Sequence, residues 1–440
     1  MNYLKDLLKG KNKIAVWGTG YIGLSTLVYF SKKKIKCLGF DIDNKKIKQR
    51  NKGILPINDL KDWFGFDIKP MIKSNYLAAT SKVKELYDPL ITVHFVAIPT
   101  EKNGKPYFQI LFKVLEEISK IIRLNLKVKP IIIIESTLTP KFSEENIIPF
   151  FKKKEIIPGK HFIYAVAPRR DWFVEGTKSL ENLDRVFGST DKESSKIVKS
   201  ILSIVCNKLH EASSHKVSEM VKSIENAYRH MEITLANQLS LAFPHENMRE
   251  VLKLVGTKWN IGTFYPGFGT GGYCIPLSSQ YVLQGVKKKN LSLLRETIKT
   301  DNSINLIIAK SIIKKGFKKI GILGLSYKGN LKVSILSPII PFVRELKKHK
   351  LDVRLFDPFF SAAEVKKILD IRSFKFPKDL KIFDCLIISV DHDEFKNNLY
   401  KTLRYIKKIR YILDNNGVWE KAKDQLKQYN YHVSGDKDWI

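Results

Sequence analysis

The sequence predicts an α/β fold with two doubly wound parallel sheets and helices between them. Three observations carry this. Short apolar runs alternate with helical patterns in the first third of the chain. The same alternation returns in the last third, and one long helical pattern lies between. At 440 residues the chain exceeds one ordinary core, so two or three domains are expected.

Taken in order, residues 14–16 read as a short apolar strand. GTGYIG follows, then a helical pattern through Leu27 and Tyr29, then a strand over 36–40 ending on Asp41. Strand, helix and strand make one βαβ unit, and a parallel sheet follows from it. The continuous apolar runs at 90–98 and 130–136 suit strands buried on both faces, and 161–167 supplies another. Residues 213–243 read as one long helix with Val217, Met220, Val221, Ile224 and Ala227 at helical spacing. A second α/β unit begins near Lys318. KKIGILGLSYK is strand then loop, LDVRLFDP is a strand ending on an acid, and KIFDCLIISV and YILDNNG supply two further strands.

Composition narrows the function classes. Hydrophobic residues make up 44% of the chain, which suits a globular protein. Cys37, Cys206, Cys274 and Cys385 form no pair motif, so neither a disulfide framework nor a zinc site is expected, and no metal is called. The N-terminus lacks a signal-like apolar segment, and the run at 131–134 is too short to span a bilayer. A cytoplasmic protein with no membrane partner is expected. The net charge of +33 could attract polyanions, but the lysines are scattered along the chain without a basic tail. This reads as solvated faces, and no nucleic-acid motif supports the other reading.

Two motifs carry chemistry. Gly18, Gly20 and Gly23 fit G-x-G-x-x-G. The first permits the tight turn, the second lets a pyrophosphate approach the backbone, and the third lets helix pack on strand. Asp41, 23 positions past Gly18, has the spacing of a ribose-binding carboxylate and disfavours a 2′-phosphate, so NAD is expected. Gly321 and Gly324 form an incomplete second fingerprint that reads first as a structural turn, with binding of the nucleotide half of a substrate as the alternative. The second motif is FYPGFGTGGYCIP, which places Cys274 at the end of a glycine-rich loop. Gly267, Gly269, Gly271 and Gly272 are expected to leave room for a ligand, and a thiol beside a nicotinamide can trap an aldehyde for a second oxidation. Lys222 and Asn226, one helical turn apart, are candidates to assist it, although Lys222 by pattern alone reads as a solvated helix lysine.

GTGYIG, VAIPT, ESTLTP, APRRDWFVEG, SEMVKSIENAYRHMEITLANQL, PGFGTGGYCIP and GLSYKGNLKVSILSP with FDP occur in one order. In these segments, over about residues 13–417, the chain resembles the UDP-glucose/GDP-mannose dehydrogenase family of NAD-dependent nucleotide-sugar 6-dehydrogenases. The resemblance implies two Rossmann-like doubly wound domains joined by a long central helix and a helical dimerisation region, with the protein a homodimer. The expected domains are 1–212 for NAD, 213–312 for dimerisation and the cysteine loop, and 313–440 for the nucleotide sugar. It implies a four-electron oxidation of a sugar C6 hydroxyl, of a UDP-sugar first of all, yielding a uronic acid for polysaccharide synthesis. Cys274 aligns with the family nucleophile, and Lys222 and Asn226 with the pair that stabilises oxyanions. Thr137 aligns with a threonine near the nicotinamide. Gly18, Gly20, Tyr21, Ile22, Gly23, Asp41, Pro99, Thr100 and Thr137 would hold NAD. Tyr265, Gly267, Gly269, Gly271, Lys258 and Lys328, with Lys222 and Asn226, would contact the substrate.

The chain departs from the family pattern at four places. Ser278 stands where an aspartate is usual four residues after the cysteine. Arg169 replaces a glutamate, with Asp171 and Glu175 nearby and Asp171 the expected stand-in. Val333 to Pro338 lacks the usual arginine and acids, and Lys258 falls where an arginine is usual. These losses would bear on thioester hydrolysis and on general-base steps. The alternatives are a dehydrogenase with an altered substrate or a two-electron product, and a non-catalytic nucleotide-binding scaffold.

Overall fold

The computed structural model describes residues 2–55, 59–124, 128–171, 179–286 and 290–440, so Glu175 lies outside the described residues. The chain divides into two compact units: Met1–Glu225 with Gln280–Lys287, and Asn226–Ser279 with Lys288–Ile440.

The first unit is built on strands β1 (Lys13–Trp17), β2 (Cys37–Phe40), β3 (Leu77–Thr80) and β4 (Ile91–Val96). A small antiparallel hairpin, β5 (Glu101–Lys102) and β6 (Lys105–Pro106), stands apart. The sheet continues with β7 (Ile131–Ile134), β8 (Ile163–Val166), β9 (Asp184–Ser189) and β10 (Lys208–Glu211). Its order is β10-β9-β8-β7-β4-β1-β2-β3. Every neighbouring pair is parallel except β8 with β9. Side chains alternate across the sheet. Ile14, Val16, Val93, Phe95, Ile131 and Ile133 face one core; Ala15, Trp17, Val96, Ile132 and Ile134 face the other. Burial on both faces explains why these strands read as unbroken apolar runs. Strand β10 has no buried position, so no apolar run marks it in the sequence.

The second unit carries β11 (Lys319–Leu323), β12 (Asp352–Phe356), β13 (Arg372–Ser373), β14 (Cys385–Ile388), β15 (Tyr411–Asp414) and β16 (Tyr431–Val433). All pairs are parallel, in the order β13-β12-β11-β14-β15-β16. Counted from its own first strand, each sheet therefore runs 3-2-1-4-5-6, the doubly wound dinucleotide-binding order, and the first adds β9 and β10 beyond. Between the sheets in sequence lies a long helix, His215–Ala242, of 28 residues. Two further helices matter to the site: Cys274–Gln284 and Ser292–Lys314.

Candidate active site

In the first unit the chain leaves β1 through Gly18, whose φ of +93° favours glycine. A Cβ at Gly18 would lie 2.5 Å from Ala97 O, the residue after β4. A Cβ at Gly23 would lie 1.9 Å from Gly18 O, so only glycine lets the helix Tyr21–Lys32 seat on the turn. Gly20 differs: nothing lies within 4 Å of its Cβ direction, and it caps its helix without a side-chain acceptor. This open face meets free N–H groups at the positive end of a helix, which suits a diphosphate. Tyr21 and Ile22 open that helix.

At the end of β2, Asp41 Oδ2 accepts from Thr19 N and Thr19 Oγ1, both at 3.1 Å, and Oδ1 accepts from Asp43 N. A carboxylate has about four lone-pair sites, so acceptor capacity remains for a ribose hydroxyl. The loops after β4 and β7 are stitched together, since Ser136 Oγ accepts from Ile98 N at 2.9 Å. Pro99 is exposed and Thr137 half-buried. Thr100 is buried and donates to Thr137 O at 2.7 Å. Tyr281 reaches this point from the helix begun by Cys274: its hydroxyl is 2.9 Å from Thr100 Oγ1 and donates to Thr100 O at 2.7 Å. Burial pushes Tyr281 up to about 12, so it remains a hydrogen-bonding phenol. Sequence reasoning passed over Tyr281, whose signal is its place two turns after Cys274. Open turn, uncapped helix end and strand-end acid together fit a dinucleotide.

Lys222 is not a solvated lysine. Its side chain is only 15% exposed, with Nζ 3.4 Å from Glu225 Oε1, and Arg170 Nε donates to Glu225 Oε2 at 2.7 Å. Three residues earlier on the helix, Glu219 is buried and accepts from Ser143 N at 3.0 Å and from the Ser143 hydroxyl. Burial pushes its carboxyl up to about 7, against the pull of those donors.

Arg169 is fully engaged where the family has an acid. Its Nε and Nη2 grip Asp171 at 2.8 and 2.5 Å, while Nη1 and Nη2 donate to Thr26 and Ser25 at 2.5 and 2.8 Å. Glu135, 3.5 Å away, also takes Arg185 Nη2 at 2.5 Å. Asp171, the expected stand-in for the missing acids, is held by Arg169 itself. Its side chain is 1% exposed and both its oxygens are taken by the Arg169 guanidinium.

In the second unit Cys274 is exposed, whereas Cys37, Cys206 and Cys385 are buried. It is the first residue of its helix, where unsatisfied N–H groups favour a developing negative charge. The loop before it is pinned at four places. Gly267 N donates to Asn237 at 2.7 Å, Phe268 N to Asn415 at 3.0 Å, Thr270 N to Asp301 at 2.9 Å, and Gly272 N to Ile335 O at 3.0 Å.

The glycines here do not leave room for a ligand, as the sequence suggested. A Cβ at Gly267 would meet Asn415 at 2.8 Å, and one at Gly269 would meet Ile304 at 2.9 Å. At Gly271 and Gly272 it would meet Tyr327, at 2.5 and 2.7 Å. The space is occupied by the protein's own side chains. Asn226, buried on the long helix, donates to Ser278 Oγ at 3.1 Å, and Ser278 donates to Cys274 O at 2.5 Å. Ser278 thus links Asn226 to the cysteine's own turn without adding a charge. Tyr265 is 40% exposed, 4.8 Å from the Arg249 guanidinium. Lys258 is exposed and Lys328 half-buried beside Tyr327. Among the described residues no group of three or more His, Cys, Asp or Glu could hold a metal, and no helix is long and apolar enough to cross a membrane.

Comparison with known proteins agrees with this architecture. Residues 12–205 match the NAD binding domain of the UDP-glucose/GDP-mannose dehydrogenase family, 216–305 its central domain and 321–421 its UDP binding domain. The chain is 29% identical over 421 residues to Protein CapL of Staphylococcus aureus, covering 92% of this chain and 96% of that one. It is 28% identical over 426 residues to UDP-N-acetyl-D-glucosamine 6-dehydrogenase of Pseudomonas aeruginosa, covering 93% and 96%. Among solved structures, the UDP-D-ManNAc dehydrogenase of Pyrococcus horikoshii superposes with a TM-score of 0.81 at 25% identity, covering 97% of this chain and all of that one. The chain belongs to the UDP-glucose/GDP-mannose dehydrogenase family. It is an NAD-dependent oxidoreductase of nucleotide sugars.

Proposed function

We propose that this chain oxidises the C6 hydroxyl of a UDP-N-acetylhexosamine to a carboxylate, making a uronic acid donor for polysaccharide synthesis. The single observation that carries the chemistry is Cys274, an exposed thiol at a helix N-terminus on a rigidly pinned loop. The choice of sugar rests on relatives such as the Pseudomonas aeruginosa and Pyrococcus horikoshii enzymes, which act on N-acetylated UDP-hexosamines.

Bound NAD would supply a hydride acceptor for each of two oxidations. Gly18, Gly20 and Gly23 would seat its diphosphate, Asp41 a ribose, and Pro99, Thr100 and Thr137 the nicotinamide side. In the first oxidation, loss of a hydride from C6 and a proton from its hydroxyl gives an aldehyde. The Cys274 thiolate then adds to the aldehyde carbon, and the oxygen becomes a thiohemiacetal alkoxide. Loss of a second hydride gives a thioester, and water releases the acid and restores the thiol. Lys222 supplies positive charge and Asn226 a carboxamide donor to the oxyanions formed on the way. With Ser278 and Arg169 in place of acids, thioester hydrolysis has no dedicated carboxylate at those positions, and it becomes the slow step. Tyr265, Lys258, Lys328 and the backbone of the Gly267–Gly271 loop contact the nucleotide sugar.

The protein acts as a homodimer in the cytoplasm. Tyr228 and Leu235, seven positions apart on one helix, are 62% and 55% exposed, and Leu254 and Trp259 are 63% and 92% exposed. These exposed apolar side chains suit a partner copy, which light scattering would weigh. The decisive test is NADH yield from UDP-N-acetylhexosamines, with Cys274→Ser as control. Two NADH per sugar, lost in the variant, is the expected result. One NADH per sugar would mean the reaction ends at the aldehyde, and equal turnover by Cys274→Ser would remove the cysteine from the mechanism.

A further inference from the structure

The segment before Cys274 is tied to Asp301 and the turn after it to His230, two buried side chains that touch each other. His230 lies one helical turn beyond Asn226 and is 1% exposed. Its Nδ1 is 2.8 Å from Ser279 Oγ, on the helix that Cys274 begins. Its Nε2 lies 3.1 Å from Asp301 Oδ2, a close polar contact without hydrogen-bond alignment. Asp301, buried on the helix Ser292–Lys314, accepts from Thr270 N at 2.9 Å and Thr270 Oγ1 at 2.5 Å. Thr270 is four residues before the cysteine and Ser279 five residues after it.

We infer that His230 and Asp301 are positioning residues for Cys274. Through Thr270 and Ser279 they fix the two ends of the segment that presents the thiol. Removing either side chain leaves the other buried and polar without its partner, and it frees one end of the segment. A nucleophile displaced by about 1 Å can lose on the order of a hundredfold in rate, so a contact at one remove from the sulfur can still govern its chemistry. The pairing also repeats a pattern one turn away. Asn226 with Ser278 and His230 with Ser279 form two successive links between the same two helices.

This inference rests on Cys274 being the nucleophile, and its test keeps the two claims apart. Asp301→Ala, Asp301→Asn and His230→Ala are compared with the parent in NAD-dependent turnover. The same proteins are then labelled with iodoacetamide while folded, and each cysteine is followed by mass spectrometry. Cys37, Cys206 and Cys385 are buried and report unfolding. Asp301→Ala is expected to lower kcat at least about tenfold with KM for NAD within about twofold. It should also change the Cys274 labelling rate at least about threefold, with the three buried cysteines unlabelled. Asp301→Asn should recover much of kcat, because a carboxamide oxygen still accepts from Thr270 N. Unchanged Cys274 labelling in both alanine variants overturns the inference. So does a change seen only together with labelling of Cys385. If the parent oxidises no nucleotide sugar, the proposed function falls, and the labelling still decides whether the pair positions the thiol.

Discussion

After β1 the chain turns through Gly18 and Gly20 straight into a helix; after β11 it passes Gly324 and runs on to Pro338 before a helix begins at Ile339. Both sheets place an aspartate just past the end of their second strand. In the first, Asp41 is half-buried and held by its own neighbours Thr19 and Asp43. In the second, Asp357 is sealed: it accepts from Leu325 N, Ser326 N and Phe359 N, and His392 Nε2 lies 3.1 Å away. A Cβ at Gly20 would meet nothing within 4 Å, whereas one at Gly324 would meet Val390 at 2.1 Å. One strand order therefore supports two uses. The first turn is left open, whereas the second is filled by the protein and its acid is a structural anchor.

The largest effect that could break this contrast is at Gly23. Gly23→Ala drives a methyl into Gly18 O, so calorimetric titration should show NAD binding weakened at least about a hundredfold. Gly20→Ala, with open space around it, should keep the parent's melting temperature and still weaken NAD about tenfold. If Gly20→Ala bound NAD normally, the open turn would not be the diphosphate seat.

Next in size is Gly324→Ala, where φ is +107° and Val390 is in the way. It should cost about 3 kcal/mol in urea unfolding and leave NAD affinity alone. A selective loss of NAD affinity would show that the two turns are not separate in use.

Asp357→Asn and Asp41→Asn form a third, paired test. The Asp357 change should cost about 2 kcal/mol, since it removes one partner of a buried pair, whereas Asp41→Asn should cost under about 0.5 kcal/mol and act on NAD affinity instead. Equal stability losses would erase the distinction between sealed and open acid.

The smallest effect is in pH dependence, where two buried carboxyls slope in opposite directions. Burial pushes Asp357 up, but the His392 contact and the N–H groups of Leu325 and Phe359 pull it down further, to a net value below the ordinary 3.8. Its contribution is present above that ordinary value and is lost as pH falls through the lowered one. Glu219, buried with no ion pair among the described residues, is pushed from 4.5 to about 7. Its contribution is present below 4.5 and lost as pH rises through about 7. Glu219→Gln should flatten the decline in thermal stability between those values. An unchanged slope would mean that Glu219 is ionised in the fold at neutral pH.

The fold was legible where burial is two-sided and neighbours are close in sequence. Ile131 to Ile134 can only be a strand of this kind, and Gly18, Gly20, Gly23 and Asp41 form one local unit. The site was less legible because its determinants are remote. Nothing near Gly271 announces that Tyr327 fills the space above it, and nothing near Gly267 points to Asn415. The fate of Arg169 depends on Ser25 and Thr26, more than 140 positions earlier. A glycine-rich loop reads as vacancy in one dimension and proves to be close packing in three.

That packing bears on how such a chain can be recombined. The cysteine loop is moulded against Tyr327, Ile335 and Asn415, all contributed by the last third of the sequence. A chimaera joined near residue 312, taking its final third from a relative with another substrate, would exchange the surface on which Cys274 is mounted. Grafting a new specificity onto this enzyme therefore requires moving residues 264–279 together with the sheet they rest on.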